Sequence, residues 1–376
     1  MKQVKWSILF AAAILFVQTA RSAEKEEPAL KDVFEGKFRV GASLNADQIH
    51  GKIPSETSLV VKHFNTITAE NAMKWESIHP KPEEYTFETA DAFVEFGQKN
   101  KMFIVGHTLV WHSQTPRWVF QNAEGGPAGR QMLLQRMKEH IETVVGRYKG
   151  RVHAWDVVNE AIEADGSLRK SPWLQIIGPD YIARAFEFAH AADPEAELYY
   201  NDYDEWKPGK RQTIVSLVNE LREKGIRIDG IGMQGHWGLD YPELEEVEKS
   251  IETFAALGLK VMITELDVTV LPHASRQTGA EVGQNYELRK ELNPWPDGLP
   301  DEMQEKLASR YADIFALFCK HADKIDRVTF WNVHDGNSWR NNWPVRGRTD
   351  YPLLFDRQGK PKPAFYAVIK TAKGTN

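Results

Sequence analysis

Residues 153–160 read His-Ala-Trp-Asp-Val-Val-Asn-Glu, and this stretch decides the fold class. It is a short apolar run with two adjacent valines, and it ends in the polar pair Asn159 and Glu160. A run of this length and composition, repeated along a chain between helical patterns, is typical of a buried strand in a parallel sheet. The stretch therefore predicts a buried strand with polar side chains at its carboxyl end.

Seven further runs of the same kind occur along the chain. Together the predicted strands are 38–42, 64–69, 102–106, 153–158, 197–200, 230–233, 260–264 and 328–331. Helical patterns separate them, and the clearest is the stripe of Leu133, Met137, Ile141, Val144, Val145 and Tyr148. Other helices are expected to begin near Phe87, Pro179, Lys210, Leu244 and Asp301, and the last follows Pro363. Strand and helix in alternation favour a parallel sheet with helices outside it.

The ends of the predicted strands distinguish a closed barrel from an open, doubly wound sheet. Polar or aromatic residues end or follow all eight strands: Asn45, Glu70, Asn71, His107, Asn159, Glu160, Asn201, Asp202, Gln234, His236, Glu265, Asp267 and Trp331. In a barrel all eight ends meet at the face that holds the active site, whereas a doubly wound sheet uses only the ends near its switch point. We therefore predict an α/β fold, a (β/α)8 TIM barrel with a single catalytic domain.

Composition excludes several classes of protein. The 376 residues carry a net charge of -6, which lacks the basic footprint of a nucleic-acid binder. One cysteine, Cys319, cannot build a disulfide scaffold, and its helical setting predicts a quiet, partly buried thiol. Twelve Trp and 18 Phe argue against a disordered chain.

The N-terminus has the order of a secretory signal. Lys2 and Lys5 precede an apolar run over 7–17, and the small residues of 20–23 follow it. We predict a signal peptide at 1–23, a catalytic domain at 24–376, and a secreted or periplasmic protein that has no membrane association after cleavage. An uncleaved membrane anchor is the alternative.

Two motifs point away from cofactors and metals. The run 230–235 reads G-x-G-x-x-G, but 236–242 cannot start the helix that a dinucleotide site requires, so its glycines are expected to relieve crowding inside a barrel strand. His107 and His112 stand close in sequence without obvious further ligands. We expect no cofactor and no metal.

Two glutamates at strand ends suggest glycoside chemistry. Glu160 and Glu265 both leave apolar strands on different sides of the predicted barrel mouth. Glycosidic cleavage needs two carboxyl groups, one to protonate the leaving oxygen and one to attack the sugar carbon or activate water. From these residues alone, a structural salt bridge of one glutamate stays equally open.

Tryptophan content favours a sugar cleft, because the flat C–H faces of sugar rings stack on indoles. Trp111, Trp331 and Trp339 are predicted to line such a cleft, and Trp155, inside its strand, is predicted to be packing.

Four segments carry a specific resemblance to a known family. They are 68–75 (TAENAMKW), 106–112 (GHTLVWH), 155–160 (WDVVNE) and 263–267 (ITELD), and 229–236 and 352–356 agree with them. In this order, over about residues 30–372, the chain resembles glycoside hydrolase family 10. The resemblance implies an endo-β-1,4-xylanase on a (β/α)8 barrel, acting on xylan with retention of configuration through a covalent intermediate.

The resemblance also implies residue roles. Glu160 matches the general acid/base and Glu265 the nucleophile, while His236 and Asp267 match the pair that orients the nucleophile. Matches to residues that bind substrate are Glu70, Asn71, Lys74, His107, Trp111, Gln114, Asn159, Asn201, Tyr203, Gln234, Trp331 and Trp339. Of these, Asn159 and Gln234 are expected near the sugar 2-hydroxyl, and Tyr203, with Asn201 nearby, on the leaving-group side.

The chain departs from the family pattern at Asn332, where glycine is usual, and at His334, where threonine is common. Residues 271–300 form a long loop that either builds leaving-group subsites or covers the barrel. We expect a monomer without a carbohydrate-binding module. The rival functions are a β-1,4-glucanase on the same scaffold, and a polysaccharide-binding barrel without catalysis.

Overall fold

The computed structural model describes residues 27–273 and 285–374. Eight parallel strands close into a barrel in sequence order. The strands are β1 (Arg39–Leu44), β2 (Thr66–Ala69), β3 (Phe103–Val110), β4 (Ala154–Asn159), β5 (Glu197–Asp202), β6 (Gly230–Gly238), β7 (Lys260–Thr269) and β8 (Ile325–Phe330). The pairing of β1 with β8 closes the ring, so the predicted (β/α)8 barrel is confirmed.

Helices follow the strands and cover the outside of the barrel. Within the described residues they are α1 (Leu30–Val33), α2 (Ala46–Ile49), α3 (Pro54–His63), α4 (Trp75–Ile78), α5 (Glu88–Lys99), α6 (Arg130–Tyr148), α7 (Pro172–Ile177), α8 (Tyr181–Ala192), α9 (Pro208–Glu223), α10 (Leu244–Ala256), α11 (Asp301–Lys320) and α12 (Pro363–Ala372). Single 3₁₀ turns occur at Arg117–Phe120, Lys290–Leu292, Asp335–Asn337 and Trp339–Asn341.

Six predicted strands end too early. β1, β3, β4, β5, β6 and β7 all run past their expected ends, so that His107, Asn159, Asn201, Gln234 and Glu265 lie inside the strands and not after them. A register shift explains why β6 and β7 are longer than expected. Pairing between these two strands resumes after an irregularity between Gln234 and His236. Such irregularities turn side chains toward the barrel mouth without ending the ladder.

The apolar stripe on α6 is buried as predicted, and it packs outside the barrel. Trp155 lies there too and is fully buried. A Cβ on Gly106 of β3 would come within 2.2 Å of the Trp155 ring, so glycine is required beside this indole. Trp155 is therefore packing, as predicted, and its loss would cost about 3–5 kcal/mol.

The glycine-rich run also has the predicted role. Gly230, Gly232 and Gly235 lie within β6. A Cβ on Gly232 would meet Asn201 Oδ1 at 2.4 Å, and one on Gly235 would meet Leu266 at 2.8 Å. The glycines let neighbouring side chains fill the barrel, and no helix follows them directly.

The predicted signal peptide at 1–23 lies outside the described residues. Among the helices that the structure describes, none has the length and hydropathy needed to cross a membrane. Cys319 is partly buried on α11, and burial raises the pKa of its thiol.

Candidate active site

The cleft at the carboxyl ends of the strands has a volume of about 450 Å³. Its walls come from the loops after β2 to β8 and from the strand ends themselves. The lining residues include Lys74, His107, Trp111, Asn159, Glu160, Tyr203, Gln234, His236, Tyr241, Glu265, His273, Trp331, Trp339, Trp343 and Arg348. The predicted convergence of polar strand ends on one face is therefore present in the structure.

Glu160 and Glu265 share an unusual backbone conformation. Both have a backbone φ of 57°, in the left-handed region that residues other than glycine seldom adopt. The cost is of order 1 kcal/mol per residue, and the surrounding ladder maintains it. Glu160 directly follows β4 and Glu265 lies within β7, so this conformation occurs where each strand reaches the cleft.

The Glu160 carboxyl group is buried against an indole and two amides. Trp111 Nε1 donates to its Oε2 at 2.9 Å, and Gln234 Nε2 and Asn159 Nδ2 each approach its Oε1 at 3.2 Å. Burial raises the pKa of Glu160, and the negative charge of Glu265 raises it further. Glu160 is thus arranged to hold a proton at a pH where an ordinary glutamate has lost it.

The Glu265 carboxyl group is just as buried, but cationic and amide donors surround it. His236 Nε2 lies 3.1 Å from its Oε2, and Asn201 Nδ2 donates to its Oε1 at 2.8 Å. Burial alone would raise the pKa of Glu265, but the hydrogen bond from His236 and the charges of His107 and His236 bring it below its usual value. Glu265 is thus arranged to be an anion.

His236 owes its own charge to Asp267. The ring Nδ1 lies 3.0 Å from Asp267 Oδ2. Burial by itself would lower the pKa of His236, but the Asp267 carboxylate outweighs it and raises the pKa to about 9. The imidazolium then presents an N–H to each carboxylate, so His236 and Asp267, the pair predicted to orient the nucleophile, lie in a row with Glu265.

Three amide side chains join the two carboxyl groups. Asn201 Nδ2 donates to both Glu265 Oε1 and Asn159 Oδ1, and Gln234 Nε2 lies 3.2 Å from both Asn159 Oδ1 and Glu160 Oε1. Asn201 was expected on the leaving-group side. The structure buries it fully, where it donates to Glu265 while Thr264 Oγ1 donates to its Oδ1 and fixes the amide inside the barrel.

A polar group surrounds Lys74 at one end of the cleft. Lys74 Nζ donates to Gln114 Oε1 at 2.8 Å and to Asn71 Oδ1 at 3.1 Å, and it lies 4.8 Å from the Trp111 ring centre. Burial raises the pKa of Glu70, although the nearby Lys74 ammonium opposes this. All five residues were predicted to bind substrate, and the structure brings them together.

Aromatic rings form the walls on either side of His236. Trp331 and Trp339 lie 6.4 Å and 4.8 Å from its ring centre, and Trp343 stacks on Trp339 at 4.7 Å. Trp331 also meets His107 edge-on at 5.4 Å. Trp111, Trp331 and Trp339 all line the cleft, as the sequence predicts for them.

Tyr203 lines the cleft together with several residues that sequence reasoning missed. Arg169 donates to the Tyr203 hydroxyl at 2.7 Å and, through Nε, to the Glu160 carbonyl at 2.8 Å. Unpredicted residues that line the cleft include Asp204, Trp206, Lys207, Tyr241, His273, Arg340, Trp343 and Arg348. They come from loops, where no periodic pattern marks a side chain as facing the cleft.

Two of the polar strand ends have structural roles. Asn45 caps α2 in a capping box with Gln48. Asp202 pairs with the fully buried Lys210 at 2.7 Å and accepts a bond from Tyr200. Neither residue is among those that line the cleft. A single polar residue at a strand end is therefore weak evidence for a functional site.

The departures from the family pattern are accommodated by the fold. Asn332 has φ of 84°, a conformation that suits glycine but that asparagine tolerates. Its Oδ1 accepts the backbone N–H of Trp339 at 2.9 Å. His334 contacts Glu56 at 2.9 Å. Both side chains are thus engaged within the β8 loop and its neighbours.

The described parts of the loop at 271–300 have different surroundings. His273 and its two preceding residues line the cleft. The later part covers the β8 loop, where Tyr286 N–H donates to Pro344 at 2.8 Å and the Tyr351 hydroxyl donates to the Trp295 carbonyl at 2.7 Å. Residues 274–284 lie outside the described residues.

One group within the described residues could hold a metal ion, and it is far from this chemistry. Glu248, Glu252 and His321 have ligand atoms within 4.8 Å of one another. Lys320 Nζ forms an ion pair with Glu248 Oε1 at 2.6 Å, so we interpret the group as a cluster of surface ion pairs.

Comparison with known proteins agrees with this geometry. The model of glycosyl hydrolase family 10 matches residues 29–371. The chain belongs to this family. Among curated relatives, an endo-1,4-beta-xylanase A of Xylanibacter ruminicola is 48% identical over 361 residues, covering 96% of this chain and 98% of that protein. An endo-1,4-beta-xylanase of Geobacillus stearothermophilus is 46% identical and covers 91% of this chain and 98% of its own length.

Solved structures of the family superpose on the whole barrel. A GH10 endoxylanase retrieved from a sugarcane soil metagenome has a TM-score of 0.88 at 48% identity, covering 91% of this chain and 99% of that one. A xylanase of Paenibacillus barcinonensis, solved with a conduramine derivative, has a TM-score of 0.83 at 43% identity, with 92% and 99% covered.

Proposed function

We propose that this chain is an endo-acting hydrolase of β-1,4-xylosidic bonds in xylan and that it retains the anomeric configuration. One observation carries the proposal: two buried carboxyl groups share a cleft and an amide network, while their pKa values are shifted in opposite directions. A protonated acid beside an anion is the pair that glycosidic double displacement requires.

In the first step, the Glu265 carboxylate attacks the anomeric carbon and Glu160 gives its proton to the leaving oxygen. The C–O bond to the leaving sugar breaks as an ester to Glu265 forms. Asn159 and Gln234 bond the Glu160 carboxyl group, and Asn201 links Asn159 to Glu265. An amide in this network can bond the sugar 2-hydroxyl as charge develops in the transition state.

In the second step, the change of charge at Glu265 switches the role of Glu160. The ester carries no negative charge, so the pKa of Glu160 falls and its carboxylate accepts a proton from water. That water attacks the anomeric carbon from the face that the leaving group vacated. Two inversions at the same carbon give net retention.

His236 and Asp267 act through the nucleophile. The imidazolium stabilises the Glu265 anion before attack, and Asp267 keeps the ring charged and in one orientation. Removing either would leave the nucleophile a weaker anion in a less defined position.

The walls favour xylose over glucose. Trp331 and Trp339 lie beside His236, close to the reacting pair. Xylose lacks the exocyclic CH2OH of glucose, so an indole over that position tolerates xylose and excludes glucose. Glu70, Asn71 and Lys74 supply polar contacts for the xylose hydroxyls on the same side of the cleft.

Export completes the proposal. The charged and apolar order of 1–23 supports a signal peptide that is removed during secretion, and the remaining residues act as a monomer. Sequencing the N-terminus of the exported protein tests the first statement, and light scattering tests the second. An intact leader or a stable dimer would contradict them.

Initial rates on xylan and carboxymethylcellulose test the substrate class. We expect xylan to be cleaved faster by a large factor, and faster cleavage of the cellulose would favour the rival glucanase. Xylan binding without any turnover would favour the binding barrel. NMR of the first products should show the β-anomer, and early α-product would mean inversion.

A further inference from the structure

The turn that presents Trp339 to the cleft also buries a cation. Residues Trp339–Asn341 form one 3₁₀ turn, and Ser338 caps it by accepting the Arg340 N–H. Both residues line the cleft, and Arg340 is only 5% exposed. A guanidinium withdrawn from water in this way needs a partner that offsets its desolvation.

That partner is Asp267. Arg340 Nε donates to Asp267 Oδ1 at 2.6 Å. The other oxygen, Oδ2, receives Trp339 Nε1 at 2.8 Å and faces His236 Nδ1 at 3.0 Å. Asp267 is fully buried, so both of its oxygens are held by these three donors, and the His236 ring can adopt one position.

We infer that Arg340 is a positioning residue for the reaction, which acts through Asp267 and His236 on the charge and placement of Glu265. The inference rests on the proposed role of Glu265 as nucleophile. Arg340 bonds Asp267, so its effect on Glu265 passes along the chain of hydrogen bonds and through its charge.

The charges around Asp267 support this role. Burial alone would raise its pKa, but the Arg340 guanidinium and then the His236 imidazolium bring it below the usual value. Tyr241 and Tyr311 also face this carboxylate and lie near enough to feel its charge.

The remaining charged neighbours sit farther along the β8 loop. Arg348 and Asp350 are both close to Arg340, and Arg348 Nε donates to the Arg340 carbonyl at 2.9 Å. Around Glu265 the charged groups are His236, His107, Lys74 and Glu160.

The sign of the effect follows from charge. Without the positive charge of Arg340, protonation of every neighbouring group becomes easier, so the pKa of Glu265 rises. The acid limb of the activity profile, where Glu265 must lose its proton, then moves to higher pH. A residue that merely held the turn together would lower stability and rate but would leave this limb where it was.

The test uses dinitrophenyl β-xylobioside, whose leaving group needs no proton, so the pH profile of kcat/KM follows the nucleophile alone. Arg340→Met removes the charge, and Arg340→Lys keeps it. Arg348→Met is the matched control, because Arg348 is an equally buried arginine of the same loop that donates to the Arg340 and Trp343 carbonyls.

We expect R340M to move the acid limb upward by about half a pH unit or more and to lower kcat/KM by about tenfold. R340K should keep the limb of the wild type while losing rate. R348M should lower the melting temperature and shift the limb less than R340M does. If R340M does not fold, the R340K variant provides the test. Because R340K retains the positive charge, an acid limb displaced in its kcat/KM profile would overturn the inference.

An unmoved limb in folded R340M would also overturn it, even if the rate falls. The wild type separates this failure from that of the proposed function: an active, retaining wild type with unmoved limbs refutes only the role of Arg340, whereas an inactive wild type refutes both.

Discussion

Glu160 and Glu265 enter the cleft with the same backbone φ of 57°, and both side chains are buried, yet their surroundings differ. Glu160 meets the indole of Trp111 and neutral amides, whereas Glu265 meets the His236 imidazolium. Burial acts in the same direction on both carboxyl groups. The partners therefore decide that the pKa of one rises and the pKa of the other falls.

This comparison shows how one scaffold assigns two roles to one type of side chain. In both cases, a glutamate in the left-handed conformation places its carboxyl group in the cleft. Donors on the neighbouring strands then set the charge of that group. β6 serves both sites, because Gln234 bonds Glu160 and His236, two residues later, bonds Glu265. The difference between the two sites can be tested by changing one partner at a time.

Removal of Glu265 should have the largest effect. Glu265→Ala deletes the attacking atom, and we expect kcat on xylan to fall by about 10⁵-fold. Azide should restore turnover of dinitrophenyl xylobioside by entering the vacated space, and NMR should identify the α-azide. A β-azide would mean that Glu265 is not the nucleophile.

Removal of Glu160 should break the other half of the comparison in a way that depends on the leaving group. For Glu160→Ala we expect a loss of about 10²–10⁴-fold on xylan, because its leaving oxygen needs a proton. The loss in the glycosylation step should be far smaller for a dinitrophenyl leaving group, as pre-steady-state kinetics can measure. Azide should here give the β-azide, and equal losses on both substrates would contradict the role of Glu160.

Replacement of His236 should make the two carboxyl sites more alike. His236→Asn removes the cationic donor from Glu265, so its pKa rises and the acid limb of kcat/KM moves to higher pH. We expect kcat to fall by about 10²-fold. A variant of full activity with an unmoved acid limb would show that the imidazolium does not set the charge of the nucleophile.

Replacement of Trp111 should give the smallest change. Trp111→Phe keeps the ring but removes the N–H that donates to Glu160 Oε2 at 2.9 Å. That bond favours the Glu160 anion, so its loss raises the pKa of Glu160 and moves the alkaline limb of kcat/KM upward. The change in rate should be about threefold, as for one hydrogen bond. A downward shift of the alkaline limb would contradict this reading.

Much of the fold and of the site is predictable from the sequence. The eight apolar runs, each with a polar or aromatic end, predict the barrel, and the spacing on α6 predicts its buried face. Residue type and position single out Glu160, Glu265, Trp111, Trp331 and Trp339, and the family resemblance adds the roles of the two glutamates. These features depend on local patterns, which a single sequence displays.

The features that escaped prediction depend on contacts between distant segments. Arg340 is separated from Asp267 by 73 positions, and no pattern in either segment predicts that the two residues form an ion pair. Asn201 donates to Glu265, because a hydrogen bond from Thr264 inside the barrel fixes its amide. The positive φ values at the two glutamates could not be predicted from residue type either, since residues other than glycine seldom adopt them.

The opposite charge states of the two glutamates are the central claim, and NMR titration of the ¹³C-labelled carboxyl groups in the free protein tests it most directly. Glu265→Gln and Glu160→Gln assign the two signals. We predict that the signal missing in E265Q titrates below the ordinary value of 4.5 and that the signal missing in E160Q titrates above it. In E265Q the pKa of Glu160 should also fall, because the neighbouring negative charge is gone. The reverse order of the two signals, or two titrations that coincide near 4.5, would contradict the account.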